Sequence, residues 1–241
     1  MRIKYIYRFL SLVFVLLFLT GVLETKAMNT GFATEDFTEE NKAQVMENID
    51  ITLFTTTPQK RGILCFDVNE KGMIAVYQEH SDNKEVCIYT SQGEFLYGYS
   101  IKTNGSIRVE WDNENINVLF VRGGILASVD PKGNILDLKE VPSTVENSIY
   151  LLDLESTYRK VGETKYRIRN DQGLILNVLT FSFSQIVVMD PDGTERIIYD
   201  INTEQLIKKI LILILISIGV TTVIVGIVRE FKKAQRKNNG E

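Results

Sequence analysis

Hydrophobic and polar positions along the chain fall into three textures. Residues 9–23 are almost uniformly apolar behind Arg2, Lys4 and Arg8. Residues 63–201 are short runs rich in Val, Ile, Tyr and Phe, separated by Gly, Asn and Asp. Residues 210–228 are Ile, Leu, Val, Gly, Ser and Thr without a charge. At 1.5 Å per residue the last run makes a helix of about 28 Å, close to the hydrocarbon thickness of a bilayer. Arg229, Lys232, Lys233, Arg236 and Lys237 follow it, and the more basic flank normally stays in the cytoplasm.

The middle texture predicts strands and tight turns. One set of four is expected at 63–68, 73–77, 85–89 and 95–101, and a second at 107–111, 116–122, 125–129 and 135–141. A third is expected at 166–169, 174–180, 185–189 and 196–201. Inner turns at Gly72, Asn115 and Gly173 precede outer turns at Gly93, Gly133 and Gly193 by 21, 18 and 20 residues. Asp130-Pro131-Lys132-Gly133 and Asp190-Pro191-Asp192-Gly193 have type I turn chemistry: an acceptor first, proline second, glycine fourth. Runs such as 73–77 and 118–121 are apolar on both faces, as expected of sheets stacked on both sides.

Four-strand units at this period are those of propeller blades. The run Val86-Cys87-Ile88-Tyr89, a turn at Gly93, then Phe95-Leu96-Tyr97-Gly98 resembles NHL-type propeller repeats. The layout ending at Tyr199-Asp200 just before an apolar span resembles uncharacterised membrane proteins of Gram-positive bacteria. The resemblance implies fold and location and carries no catalytic residue across. The expected fold is an all-β ectodomain of three four-stranded antiparallel blade-like repeats, with a C-terminal transmembrane helix and an N-terminal signal or anchor helix. Three blades are too few to close alone. Either two chains complete a ring, or an open arc is capped by residues 28–57 and by the insertion 142–162.

The expected organisation is a signal peptide or anchor at 1–27, an acidic linker at 28–60, a β-repeat domain at 61–202, a transmembrane helix at 207–228 and a basic cytoplasmic tail at 229–241. The linker holds a short helix near 38–48 and a strand near 50–57. Thr25-Lys26-Ala27 offers small residues where a signal peptidase reads, and cleavage or retention both leave residues 28–206 outside.

Charge separates along the chain. The segment 24–206 carries 17 basic and 29 acidic side chains, a balance that argues against nucleic acid. The basic concentration within it is Arg159, Lys160, Lys165, Arg167 and Arg169, on an expected hairpin turning at Gly162-Glu163. It is the candidate patch for an anionic cell-wall polymer, a lipid head group or an acidic protein partner, against the simpler reading of a solvated hairpin. Cys65 and Cys87, on expected first and third strands, are too far apart to bridge and read as buried thiols.

Candidate chemistry is sparse. His80 is the one histidine, in a polar loop. Asp67, Asn69, Lys71 and Gly72 echo the start of a calcium loop, but Lys71 replaces an oxygen ligand and Gln78 stands where the bidentate Glu belongs. Asp190, Asp192 and Glu195 gather three carboxylates on a turn. Trp111, Phe120, Tyr97 and Tyr99 fit a core better than a binding face. No catalytic residue, metal or cofactor is expected. The expected function is a non-enzymatic, membrane-anchored binding or scaffolding module, alone or as a homodimer. The alternatives are a sensor or accessory subunit of a membrane complex and, third, a metal-dependent hydrolase on the acidic turns.

Overall fold

The computed structural model describes residues 28–78, 83–173, 176–177 and 182–238. The elements are β1 (Glu35–Asp36), α1 (Glu39–Asn48), β2 (Asp50–Phe54), β3 (Ile63–Val68), β4 (Ile74–Gln78), β5 (Lys84–Tyr89) and β6 (Phe95–Lys102). There follow β7 (Ile107–Asp112), β8 (Asn115–Phe120), β9 (Ile125–Val129), β10 (Ile135–Glu140), α2 (Val145–Leu154), β11 (Tyr158–Val161), β12 (Thr164–Arg169), β13 (Gln185–Met189), β14 (Glu195–Asp200) and α3 (Asn202–Asn238).

Three antiparallel sheets result, in the orders β2-β6-β5-β4-β3, β1-β10-β9-β8-β7 and β11-β12-β13-β14. The first sheet is the middle layer. One face, with Tyr77, Val86, Ile88 and Tyr99, packs on Val109, Val118 and Ala127 of the second sheet. The other, with Phe66, Ile74, Val76 and Cys87, packs on Tyr166, Ile168, Ile186 and Tyr199 of the third. That position accounts for β4, which is apolar on both sides and buried along its whole length. Cys65 and Cys87 belong to these opposite cores, and both are free and buried. Desolvation pushes the Cys65 thiol up to about 11 and the Cys87 thiol to about 12.

The all-β, three-blade expectation is overturned. The protein has a mixed α/β fold with sheets of five, five and four strands, none closed into a propeller. Two local features decide this. The stretch 145–154 is a helix, its Thr144 hydroxyl accepting from the Asn147 N–H at 3.1 Å. Its Tyr150, Leu151 and Leu154 join Phe32 over Leu119 and Leu126, covering the outer face of the second sheet. The third sheet also takes 158–161 as a member; of the strand expected at 174–180, Leu176 and Asn177 are helical and the rest lies outside the described residues. Gly162, at φ 58, therefore forms the inner turn expected at Gly173.

Residues 28–60 are built into the fold. β1 pairs with β10 and β2 with β6, covering edges that would otherwise be exposed. Helix α1 starts on Thr38, whose hydroxyl accepts from the Asn41 N–H. The signal or anchor expected at 1–27 lies outside the described residues.

Strand register gives the domain two distinct ends. At one end lie the tight turns at Gly72, Gly93, Asn113, Gly133, Gly162 and Gly193. At the other, Asp200 is level with Gln185 and Arg169, the Ile63–Phe183 bridge ties this end of the third sheet to the first, and Lys102 lies opposite Asp50. Helix α3 leaves from this second end two residues after Asp200. Its first turns are fastened there: the Asn202 side-chain amide donates to the Asp171 carbonyl, the Gln205 amide to the Ser182 hydroxyl, and the Lys209 ammonium to the Leu176 carbonyl. From Ile210 to Glu230 α3 is exposed, so it projects away from the sheets.

Candidate functional site

β3, β7 and β11, each at one edge of its sheet, meet at Asp67. One carboxylate oxygen accepts from the Trp111 backbone N–H at 2.8 Å, the other from Arg159 Nε at 2.9 Å. The pair is largely but not fully shielded, with side-chain exposures of 15% for Asp67 and 14% for Arg159. Arg159 also donates to the carbonyls of Leu154, Ser156 and Tyr158, and its guanidinium lies 5.4 Å from the centre of the Phe66 ring. One arginine thus caps α2 and joins it to the first and third sheets. Beside this node, buried Glu110 accepts from the Tyr150 hydroxyl at 2.7 Å and from the Asn117 amide at 3.2 Å. A cavity of about 350 Å³ reaches both carboxylates. Their lone pairs are committed to protein donors, so the cluster joins layers.

Burial raises the Glu110 carboxyl above its ordinary range, outweighing the hydrogen bonds that favour the charged form. The native state therefore holds this proton at a higher pH than the unfolded chain does. Its contribution is greatest below the ordinary carboxyl value and is lost as pH rises through the native one. Urea unfolding of wild type and Glu110→Gln across the acidic range should show this declining component in wild type and a flatter profile in the variant. Parallel profiles would contradict it.

The five basic residues expected to form one patch divide in two. Arg159 lies opposite Tyr166 and turns into the core. Lys160, Lys165, Arg167 and Arg169 share the outer face of the third sheet. Arg169 is engaged there, donating to the Gln185 side chain and pairing with Glu195 at 3.5 Å over buried Val187. Lys160, Lys165 and Arg167 are exposed and make no side-chain hydrogen bond or ion pair with the described residues. Lys160 stands directly opposite Lys165, an arrangement that costs stability unless an anion lies between them. Tyr158, 41% exposed, adjoins them across from Arg167. The hairpin tip is at the end remote from α3, so the patch sits away from the helix exit.

The other sequence signals resolve into structure. Asn69 Oδ1 accepts from the Lys71 and Met73 N–H groups, closing a hairpin turn where the calcium echo lay. Asp190 holds Arg196 through both oxygens, and Asp192 accepts from the Thr194 N–H. Among the described residues no group of three His, Cys, Asp or Glu side chains could hold a metal ion. Tyr97 and Tyr99 pack edge to face, and Trp111 donates its indole N–H to the Asp67 carbonyl. His80 lies outside the described residues.

A cleft of about 460 Å³ had no counterpart in the sequence reading. It opens where the C-terminal turn of α1 meets the 102–106 connection and the β8–β9 turn. Val45, Ile49, Phe120 and Ile125 form its apolar floor, and Lys102 and Arg122 its cationic rim. The turn residues Asn104, Gly105 and Ser106 line it as well. Its residues come from three separate stretches, each unremarkable alone.

Among the described residues one helix, spanning Asn202–Glu230, is long and apolar enough to cross a membrane, with its apolar stretch unburied by the rest of the chain. Fold and surface together define a membrane-associated α/β protein built on three stacked antiparallel sheets. Neither the protein-family models nor the curated proteins contain a match to this chain.

Proposed function

We propose that this is a single-span membrane protein whose three-sheet domain lies outside the cytoplasm and works as a non-enzymatic binding or scaffolding module. The basic flank after residue 228 supports a cytoplasmic C-terminus. The observation that carries the binding reading is the uncommitted cluster of Lys160, Lys165 and Arg167 on an exposed sheet face, set in an acidic domain. It faces away from the helix exit, where an anionic cell-wall polymer or an acidic protein can reach it. The inner carboxylates and the acidic turns are occupied by protein donors, which leaves surface recognition as the chemistry on offer.

The test is photocrosslinking in native membranes from a reactive residue at Tyr158. A specific adduct should form with wild type and fall at least tenfold in a Lys165→Glu, Arg167→Glu variant that keeps its unfolding midpoint. An unchanged adduct, or none in either protein, would sink the reading.

A second reading is favoured by the junction at α3. Hydrogen bonds from Asn202, Gln205 and Lys209 clamp the spanning helix to the domain without a flexible linker. A sensor or accessory subunit would use that coupling, with Ser217, Gly219, Thr221 and Gly226 allowing close approach of a partner helix. Recovery of a stable membrane partner that survives loss of the basic patch would favour it.

A further inference from the structure

We propose that the cleft between α1 and the β8–β9 turn is a binding site for an anionic lipid of the membrane that α3 crosses. The first support is its position. Lys102 ends β6 at the level of Asp50, and Phe120 and Ile125 lie level with Ile107 at the start of β7, all at the end of the sheets from which α3 departs. Ile210, where the uncharged run begins, is eight residues beyond Asn202, or about 12 Å of helix. The cleft therefore faces the bilayer at close range.

The second support is chemistry. Lys102 and Arg122 are exposed and make no side-chain hydrogen bond or ion pair with the described residues. Arg122 can meet a phosphate through two N–H groups, with Lys102 beside it as a point charge. Asn104 and Ser106 supply polar atoms at the same rim, while Val45, Ile49, Phe120 and Ile125 offer the floor an apolar body needs. Asp50, the cross-strand neighbour of Lys102, is hydrogen-bonded by the Thr52 hydroxyl instead. A cavity of about 460 Å³ falls within the usual range for small-ligand sites.

Part of the domain's acidic charge lies far from the cleft. Glu94, Asp130, Asp190 and Asp192 belong to turns at the remote end. Strands of six residues place them about 20 Å from the cleft, beyond the screening length of about 8 Å at physiological salt. Glu47, Asp50 and Glu140 stand nearer, so Lys102 and Arg122 act on a head group by direct contact in the cleft and not by a long-range field.

The site rests on α3 crossing a bilayer and not on the basic face of the third sheet, so the two readings fail separately. The experiment uses the full chain in nanodiscs of phosphatidylcholine, with and without about one quarter phosphatidylglycerol, read by amide hydrogen exchange. Phosphatidylglycerol should protect residues 102–106 and 120–125, and phosphatidylcholine alone should not. Lys102→Gln with Arg122→Gln should weaken that protection roughly thirtyfold in apparent affinity while leaving the unfolding midpoint unchanged. Lys160→Gln with Lys165→Gln should leave it intact. Equal protection by both lipids, protection retained in the Lys102/Arg122 variant, no protection, or equal protection by free glycerol phosphate in phosphatidylcholine discs would each overturn the proposal. The last result would mark a soluble phosphate site.

Discussion

Asp67→Ala is expected to lower the unfolding free energy by about 3 kcal/mol. Removing one partner of a buried ion pair generally costs about 3–5 kcal/mol, because the other charge stays desolvated. Here the pair is only partly shielded from water, and Arg159 keeps its three carbonyl acceptors and its place over Phe66, which holds the loss to the lower end. The Trp111 backbone N–H loses its acceptor as well, so all three sheets feel the change. Asp67→Asn retains an acceptor for Trp111 and should cost about half as much. Urea unfolding at 25 °C measures each value. In combination with Arg159→Met, Asp67→Ala should be non-additive by about 2 kcal/mol, since the orphaned guanidinium is then absent. A single-variant loss below about 1 kcal/mol would show that the node is not what joins the layers.

Gly93→Ala should cost about 2–5 kcal/mol, and Gly193→Ala only about 1–2. The two glycines end turns of the same kind, with φ of +83° and +87°, and each donates its N–H to the carbonyl three residues back. An L side chain in that region costs about 1–2 kcal/mol by itself. The difference lies in the surroundings. A Cβ on Gly93 would be driven into the backbone carbonyl of Ile198 on the third sheet, whereas a Cβ on Gly193 meets nothing within 4 Å. Backbone cannot step aside as a side-chain tip can, so the first and third sheets would have to separate, adding about 1–3 kcal/mol. Thermal unfolding of the two variants side by side gives the comparison. Equal losses would mean that the contact between Gly93 and Ile198 is soft.

Much of the secondary structure was legible in the chain. The strands at 63–68, 125–129 and 185–189 agree with the structure at both ends, and those at 95–101 and 107–111 to within a residue. Thr38 and the apolar residues behind it announced α1, and the uncharged run at 210–228 announced α3. Each rests on a period of two or 3.6 residues and on local turn or cap chemistry, which neighbours in sequence supply. The third sheet departs from the expectation because Gly173 imitates a turn glycine, and the helix at 145–154 shows in the chain chiefly through its Thr144 cap. A repeat spacing of 21, 18 and 20 residues says that units resemble one another. It does not say which segment fills the fourth place.

The candidate site was less legible. Lys160, Lys165, Arg167 and Arg169 fall on one sheet face because they alternate along a hairpin, and that much can be counted. Arg159 obeys the same alternation and so points the other way, into a partner that is 92 residues distant in sequence. Lys102 and Arg122 share a cleft with α1 only after β2 has joined β6 and the second sheet has stacked on the first.

The sequence by itself determined the apolar ends, the strands, the hairpin turns and the sign of the charge in each region, since all of these follow from residues within a few places of one another. Only the tertiary structure decided that Asp67 is the meeting point of three sheets, that one of five basic residues is a structural cap, and that two solitary cations rim a cleft at the end from which the long helix departs. The physical reason is register between layers: side chains far apart in the chain become neighbours only when the burial of Phe66, Ile88, Ile168 and their partners fixes how the sheets stack.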